Sequence, residues 1–488
     1  MTPGVVIVGG GISGLAAAHR LVQRAEAARR SLEVTILEAA PRLGGAIVTE
    51  HIQDFVIEGG PDSFLTEKPW ALELSRELGL EPHLVGTNQA YRRTYIAHRG
   101  RLHPLPEGFL LLAPTRLWPF ALSPLFSWST KLRMAAEVLL PRGRVRDDES
   151  LASFVRRRFG RRAVELVAQP LIGGIYLAKA ERLSLRATMP RFLTMEEQHR
   201  SIILGMRAQA RRLAKTASGS GARWSLFASF DHGLQALVDA LTQRLRSTRV
   251  CLSTAVIRIE RRGPGWSVVT ERGTSYSANA VILAVPASRA ASLVRESCPD
   301  LARELDRIPT LPSLTVNLAY PHASMGTGVT GFGVVVPRTE GYRTWACTLS
   351  HRKYPGRAPA GALLLRAFLG GEDEAEILNW EEGQIVALVR REVESLLQIE
   401  GMPLFARVHR YPHTMPLYEV GHLHKVQRIE ECLSAEPTLA LAGNSYRGVG
   451  LPDCIHSGQQ AAEKLWKAAA TLYPSAEQPA RSAGAAGV

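Results

Sequence analysis

Gly9-Gly10-Gly11-Ile12-Ser13-Gly14 and, at the end of the following apolar run, Glu38 are spaced for one kind of chemistry. Gly9 permits a tight turn, Gly11 lets bare backbone approach a pyrophosphate, and Gly14 lets a helix pack closely on a strand. A helix starting there offers unpaired N–H groups and a positive dipole end to phosphates. Glu38 is placed to accept hydrogen bonds from an adenosine ribose and to repel a 2′-phosphate. In Ala39-Ala40-Pro41-Arg42-Leu43-Gly44-Gly45, the glycine pair lets a second backbone segment come close, and Arg42 is positioned to neutralise pyrophosphate charge. That continuation points to a flavin dinucleotide rather than a nicotinamide. Further on, a strand runs into the glycine-proline loop Gly59-Gly60-Pro61-Asp62-Ser63, and Gly448-Val449-Gly450-Leu451-Pro452-Asp453-Cys454 opens a helix that runs to about Lys467. The positive end of that late helix would stabilise negative charge developing on a reduced flavin ring.

The elements that must position these residues are readable from apolar pattern. Val5-Val6-Ile7-Val8 and Val34-Thr35-Ile36-Leu37 read as strands, with a helix between them carrying Leu15, Ala18, Val22 and Ala25 on one stripe. Phe55 to Glu58 reads as a strand, and Pro69 to Leu78 as an amphipathic helix. Tyr95 to Leu105 reads as a hairpin turning at Arg99-Gly100. Helices fill Lys131 to Lys215, with breaks expected at Pro170 and Pro190. The basic segment Glu149 to Arg162 reads as a solvated helix face, and Ser218-Gly219-Ser220-Gly221 as a flexible joint. Short strands follow at Val250–Leu252, Val256–Glu260, Trp266–Thr270 and Ala280–Val285, the last returning to the first sheet. A second strand-rich block spans Ser313 to Leu369, a helix runs from about Glu374 to Leu397, and Leu404–His409 and Thr438–Leu441 are strands. The chain after Tyr473 reads as a disordered tail.

With 488 residues the chain is too long for one core and suggests about two or three domains. The formal net charge of +14 admits nucleic acid, an anionic membrane surface or an acidic substrate. The arginines are dispersed and neither an RNA-binding motif nor a zinc spacing occurs, so no nucleic-acid partner is expected. Cys251, Cys298, Cys347, Cys432 and Cys454 form no C-x-x-C pair, as expected of a reducing cytosol. A strand beginning at Val5 leaves no room for a signal peptide, and no run of about eighteen apolar residues occurs. Pro106 to Phe126 is apolar, aromatic and interrupted by prolines. It reads either as a segment resting among lipid headgroups beside Arg116 and Lys131, or as a loop capping an internal tunnel. The expected location is the cytoplasm, or the periphery of a membrane. No metal-ligating cluster, reactive thiolate or nucleophilic triad is evident, and His409, His413 and His422 are expected to be surface or packing residues.

GGGISGL, EAAPRLGGAI, IEGGPDSFL, PLIGGIYLAKAERLS, HRSIILGM and YRGVGLPDCIHSG together resemble the FAD-dependent protoporphyrinogen and coproporphyrinogen III oxidases of bacterial type, over Val5 to about Trp466. The resemblance implies an α/β fold with a discontinuous Rossmann-like FAD-binding domain (1–86, 223–290, 430–472). It also implies a strand-containing substrate domain (87–97, 291–429) and a helical domain that touches membrane (98–222). FAD would be held by Gly9, Gly10, Gly11, Ile12, Ser13, Gly14, Glu38, Ala39, Arg42, Gly45, Gly60, Pro61, Asp62, Ser63, Val256, Val449, Gly450 and Leu451. A porphyrinogen would pack near Gly174, Val335 and Tyr354. The implied reaction removes six electrons from it, with O2 as acceptor and H2O2 released, and hands the porphyrin to a ferrochelatase. No catalytic base is implied, because the cofactor carries the hard step.

The chain departs from the family at two places. The family often reads GIYAGD where Gly174-Ile175-Tyr176-Leu177-Ala178-Lys179 stands. Plant and animal members carry an arginine near the position of Leu65 to meet a propionate; Lys68 or Lys179 is expected to supply that charge here. Basic residues at a cavity mouth would attract the two propionates of protoporphyrinogen or the four of coproporphyrinogen. The alternatives are another flavin oxidoreductase of this build, such as a polyamine oxidase or carotenoid desaturase, and a non-enzymatic porphyrin or flavin carrier. An amine substrate fits the basic balance poorly. The sequence leaves the oligomeric state open.

Overall fold

The computed structural model describes residues 4–110, 112–143, 147–217, 225–321 and 329–472. The joint expected at Ser218–Gly221 and the tail after Tyr473 lie outside the described residues. One parallel sheet organises the first part of the fold. Its strands are β1 (Gly4–Val8), β2 (Glu33–Leu37), β3 (Arg249–Cys251), β4 (Ala280–Leu283) and β5 (Leu439–Leu441), in the spatial order β3-β2-β1-β4-β5. The near-continuous apolar run of β1 is what a strand covered on both faces requires. Val5 and Ile7 enter one core, Val6 and Val8 the other. On the first face lie α1 (Ile12–Ala27) and α2 (Leu451–Leu472). These helices pack so closely that a Cβ on Gly458 would stand 2.1 Å from the Ser13 carbonyl oxygen. On the second face lie the antiparallel strands Val256–Arg262, Gly265–Thr270 and Ser275–Ala278 and the helix Ala287–Val294. The return of the chain at β4 is as read: Val5 pairs with Ala280 in parallel. The short strand at Val250 does not join the meander but forms an edge of the parallel sheet beside β2. Three residues carry no pattern that would have distinguished the two.

A seven-stranded mixed sheet forms a second layer. The long strand Thr310–Pro321 lies between Phe405–Pro416 and Ala362–Gly370; Ala346–Leu349, Gly333–Val335 and the hairpin Thr94–His98/Arg101–Pro104 continue to the other edge. The hairpin turns at Arg99 and Gly100, both at positive φ (53° and 68°), as its twist demands. Helix Glu382–Leu397 buries Ile385, Val389, Val393 and Leu397 against this sheet. The single helix expected from Glu374 is in fact two elements. A 3-10 turn over Glu372–Asn379 ends at extended Trp380, and Glu381 restarts the chain through a capping box with Gln384.

Helices between Leu117 and Ala217 enclose a third core around Phe120, Phe126, Met134, Phe154, Phe159 and Phe192. Pro190 does begin a new helix, Pro190–His199. Pro170 breaks nothing: it sits within the π-helical segment Val164–Gly173, whose wider turn accommodates a residue without an N–H. The Glu149–Arg162 face is not merely solvated. Arg158 is fully buried, giving Nε–H to Glu137 Oε1 at 2.9 Å and Nη1–H to the Pro141 carbonyl at 2.8 Å. Arg157 bridges Glu196 and Glu149 at 2.5 and 2.7 Å. Glu137 in turn accepts from Ser201 Oγ and from the Ile202 N–H, capping helix Ile202–Ala217. A buried arginine this well paired reads, in sequence, like any charged helix position.

Candidate functional site

At the glycine turn the geometry is dictated by backbone approach. Gly9 has φ +106°, and a Cβ there would lie 2.4 Å from the Ala284 carbonyl oxygen at the end of β4; a Cβ on Gly14 would lie 2.0 Å from the Gly9 oxygen. Gly11 is the N-cap of α1 with no side chain to satisfy the first-turn donors. The Gly44-Gly45 segment folds onto it, with Gly44 N–H giving to Gly10 O at 2.9 Å, and a Cβ on Gly11 would meet only Gly45. This bare-backbone cradle is the space a pyrophosphate needs.

Glu38 closes the cradle. Its Oε2 accepts the Gly10 N–H at 2.5 Å and its Oε1 the Ala40 N–H at 2.8 Å. A carboxylate offers about four acceptor sites, so roughly two remain for ribose hydroxyls. Its backbone links the cradle to the neighbouring loop: Glu38 N–H gives to Cys251 O, and Thr254 N–H gives to Glu38 O, which brings Val256 to the same edge. Arg42 keeps its charge unpaired by any carboxylate among the described residues. Its guanidinium gives to the carbonyls of Ile47 (2.9 Å), Gly45 (2.6 Å) and Leu43 (3.1 Å), bracing the loop.

The Gly59–Ser63 loop is locked by charge. Asp62 pairs with Lys353 Nζ at 2.7 Å and accepts from Ser63 Oγ at 2.7 Å; Arg366 stands 3.7 Å from it and also bonds the Gly60 carbonyl. Burial alone would push this carboxyl up, but Lys353 and Arg366 hold it below the usual carboxylate range. At the end of the preceding strand Phe55–Glu58, Glu58 accepts from Leu234 N–H and Thr49 Oγ1 and faces Arg357 at 3.5 Å. Burial, ahead of Arg357, shifts Glu58 upward. Tyr354 joins this cluster, its ring 5.4 Å from Lys353 Nζ and 5.6 Å from Arg357 Cζ. Burial, then the Asp62 charge, keeps its hydroxyl neutral. Val335 lies elsewhere, paired with Ile96 and Ala346 and packed against the helical core; Gly174 follows the π-helical segment with open space before it.

At the start of α2, Asp453 receives both its hydrogen bonds from Lys68 Nζ, at 2.6 and 2.7 Å. Lys68 thus pairs with a protein carboxylate while remaining partly exposed, and Lys179 pairs with Asp373 at 3.0 Å and is also partly exposed. Behind the Val449–Leu451 backbone, Tyr418 accepts the Gly448 N–H (2.8 Å) and gives to the Asn444 carbonyl (2.5 Å), while its ring stacks on His422 at 3.9 Å. His422 is fully buried, and His409 bonds Glu50 at 2.8 Å, so both act in packing. Sequence reading missed the Asp62–Lys353–Arg366 cluster, the Lys68–Asp453 pair and Tyr418. A signal existed only for Arg366, a charge inside the apolar run Leu363–Leu369.

Residues 12–465 match the family model described as flavin containing amine oxidoreductase. The chain is 37% identical over 461 residues to the coproporphyrinogen III oxidase of Bacillus subtilis, covering 94% of this chain and 96% of that one. It is 33% identical to the coproporphyrinogen III oxidase of Propionibacterium freudenreichii, covering 97% and 92%. A crystal structure from Exiguobacterium sp. 255-15, provisionally named a protoporphyrinogen oxidase, superposes with a TM-score of 0.83 at 31% identity, over 95% of this chain and 99% of that one.

Proposed function

From the premise that the chain belongs to the flavin-containing amine oxidoreductases, and among them to the coproporphyrinogen III and protoporphyrinogen oxidases, we propose that it oxidises coproporphyrinogen III at least as well as protoporphyrinogen IX. It is an FAD-dependent enzyme of heme biosynthesis. The observation that carries the substrate choice is full-length similarity to proteins named coproporphyrinogen III oxidases. When bound, FAD supplies the oxidising capacity for a six-electron conversion.

The chain's own residues supply position and insulation. The cradle Gly9–Gly14 with Gly45 would receive the pyrophosphate, Glu38 with Ala39 the ribose, and Val256 the neighbouring edge. Gly60–Ser63 and Val449–Leu451 would flank the ring, held by the Asp62–Lys353 and Lys68–Asp453 pairs. Tyr176, Tyr354 and Tyr418 are buried and pushed up by that burial, so none serves as a base near neutral pH. Gly174 and Val335 would border the substrate. Lys68, partly exposed beside Asp453, or Lys179, partly exposed beside Asp373, would meet a propionate. O2 would be the acceptor, with H2O2 released and a ferrochelatase the recipient of the porphyrin.

Peripheral membrane contact belongs to the same reading. No described helix is long and apolar enough to span a bilayer, yet Trp118 and Leu122 on helix Leu117–Leu122 are 80% and 78% exposed, and Trp128, Leu132 and Leu139 are exposed on the helical segments that follow. Lys131 is not available to lipid, being buried with Nζ on the Ala121 carbonyl at 2.6 Å. Anaerobically prepared coproporphyrinogen III and protoporphyrinogen IX, compared by porphyrin fluorescence, test the substrate choice; a clear preference for protoporphyrinogen overturns it. Co-sedimentation with liposomes tests the contact, and a protein left in the supernatant counts against it.

A further inference from the structure

Away from the dinucleotide cleft, His83, Asp231 and His232 each place one ligand atom within 4.8 Å of the others. Two paired elements fix them. The 3-10 turn Glu81–His83 runs into strand Leu84–Gly86, whose antiparallel partner is Phe227–Phe230. Leu84 faces Phe230, so the residues just outside that pair, His83 and Asp231, must meet; Asp231 N–H gives to the His83 carbonyl at 3.0 Å. Asp231 Oδ1 is held by the His232 N–H at 2.8 Å, which turns Oδ2 toward His83 Nδ1 at 3.1 Å. The far side of the loop is fixed as well. Gly233 has φ +93°, with a would-be Cβ 2.3 Å from Thr49, and Leu234 N–H gives to buried Glu58 at 2.9 Å. The two imidazole rings stand 6.2 Å apart, open to solvent.

We propose that His83, Asp231 and His232 form a binding site for one borderline divalent cation of the Zn2+, Co2+ or Ni2+ class. Two imidazole nitrogens and one carboxylate oxygen suit such ions, whereas Mg2+ and Ca2+ require mostly oxygen ligands. Three protein ligands leave the remaining positions to water, so the site is one of attachment and bracing. A bound cation would pin the Asp231 loop to the His83 turn. Through Leu234 and Glu58 it would stiffen the strand that leads into Gly59–Ser63.

The test uses tag-free, FAD-loaded protein stripped with a chelator, then titrated with Co2+ by visible absorption and with Zn2+ by calorimetry. One saturable equivalent is expected, with His83→Ala and His232→Ala each binding about tenfold or more weaker. Retained flavin content in both variants shows that the fold is intact, since neither residue lies in the cofactor cradle. Absence of saturable binding in the parent protein overturns the site, as does equal binding by parent and variants, or displacement of Co2+ by Mg2+ at comparable concentration.

Discussion

Acidification should loosen the cofactor end of this protein through one histidine. His422 is fully buried, stacked on Tyr418, and its Nε2 faces the Tyr446 carbonyl at 2.8 Å. A carbonyl only accepts, so Nε2 carries the proton and Nδ1, which has no partner, is the bare nitrogen. Protonating Nδ1 would create a buried N–H with nothing to receive it and a charge without solvent. Burial accordingly lowers the His422 pKa to about 4 from 6.5, against the modest help of the Tyr446 carbonyl. The unfolded chain binds this proton as pH falls through 6.5, and the folded chain only near 4. Stability is therefore complete above pH 6.5 and declines as pH drops toward 4. At about 1.36 kcal/mol per pH unit, the gap is worth roughly 3 kcal/mol. Because Tyr418 holds the Asn444–Gly448 backbone ahead of α2, flavin should be released along with the lost stability. Urea denaturation followed by flavin fluorescence at several pH values measures it, with His422→Gln as the reference that keeps a donor to Tyr446 but cannot titrate. The parent should lose stability more steeply than the variant between pH 6.5 and 4. Parallel pH dependences for the two proteins would refute the reasoning.

Three further outcomes follow from the geometry. Glu38→Gln replaces an acceptor with an amide donor opposite the Gly10 or Ala40 N–H; the loss of about 1.5–3 kcal/mol should weaken FAD binding roughly tenfold or more, measured by flavin retention on dilution. Gly458→Val forces α1 and α2 apart at the Ser13 carbonyl, costing about 1–3 kcal/mol and lowering the flavin-to-protein absorbance ratio. Glu137→Gln removes the carboxylate charge facing Arg158 Nε and Nη2 and leaves Glu196 at 3.4 Å as the remaining buried counter-charge, so it should cost about 1–3 kcal/mol by thermal or urea denaturation.

What the sequence conveyed was local, and what it withheld was long-range. The β1–α1–β2 unit is written in adjacent residues: an unbroken apolar run, three glycines with distinct steric duties, a helical stripe, an acid. The Arg99–Gly100 hairpin and the proline-started helix at 190 are legible for the same reason. Lys68 meets Asp453 across most of the chain, and Lys353 meets Asp62 in the same way. No periodicity records such partnerships, so local reading had no means of seeing the carboxylate that stands beside Lys68. Pro170 shows a different limit: the rule that proline ends a helix assumes the tighter turn, and a π turn escapes it. Arg42 shows a third, since its bonds to the carbonyls of its own loop leave no mark in a motif.

The order of the parallel sheet sets a timetable for synthesis. Its inner strands come from the first and middle portions of the chain, but the edge strand β5 and the helix that seals α1 are the last described elements to be translated. Until they emerge, β4 has an unpaired edge and the apolar face of α1 is uncovered, a state prone to aggregation. Pairings this distant in sequence also form slowly, because long loops must close before any contact rewards them. A chain cut short before residue 438 should therefore be unable to retain flavin at all.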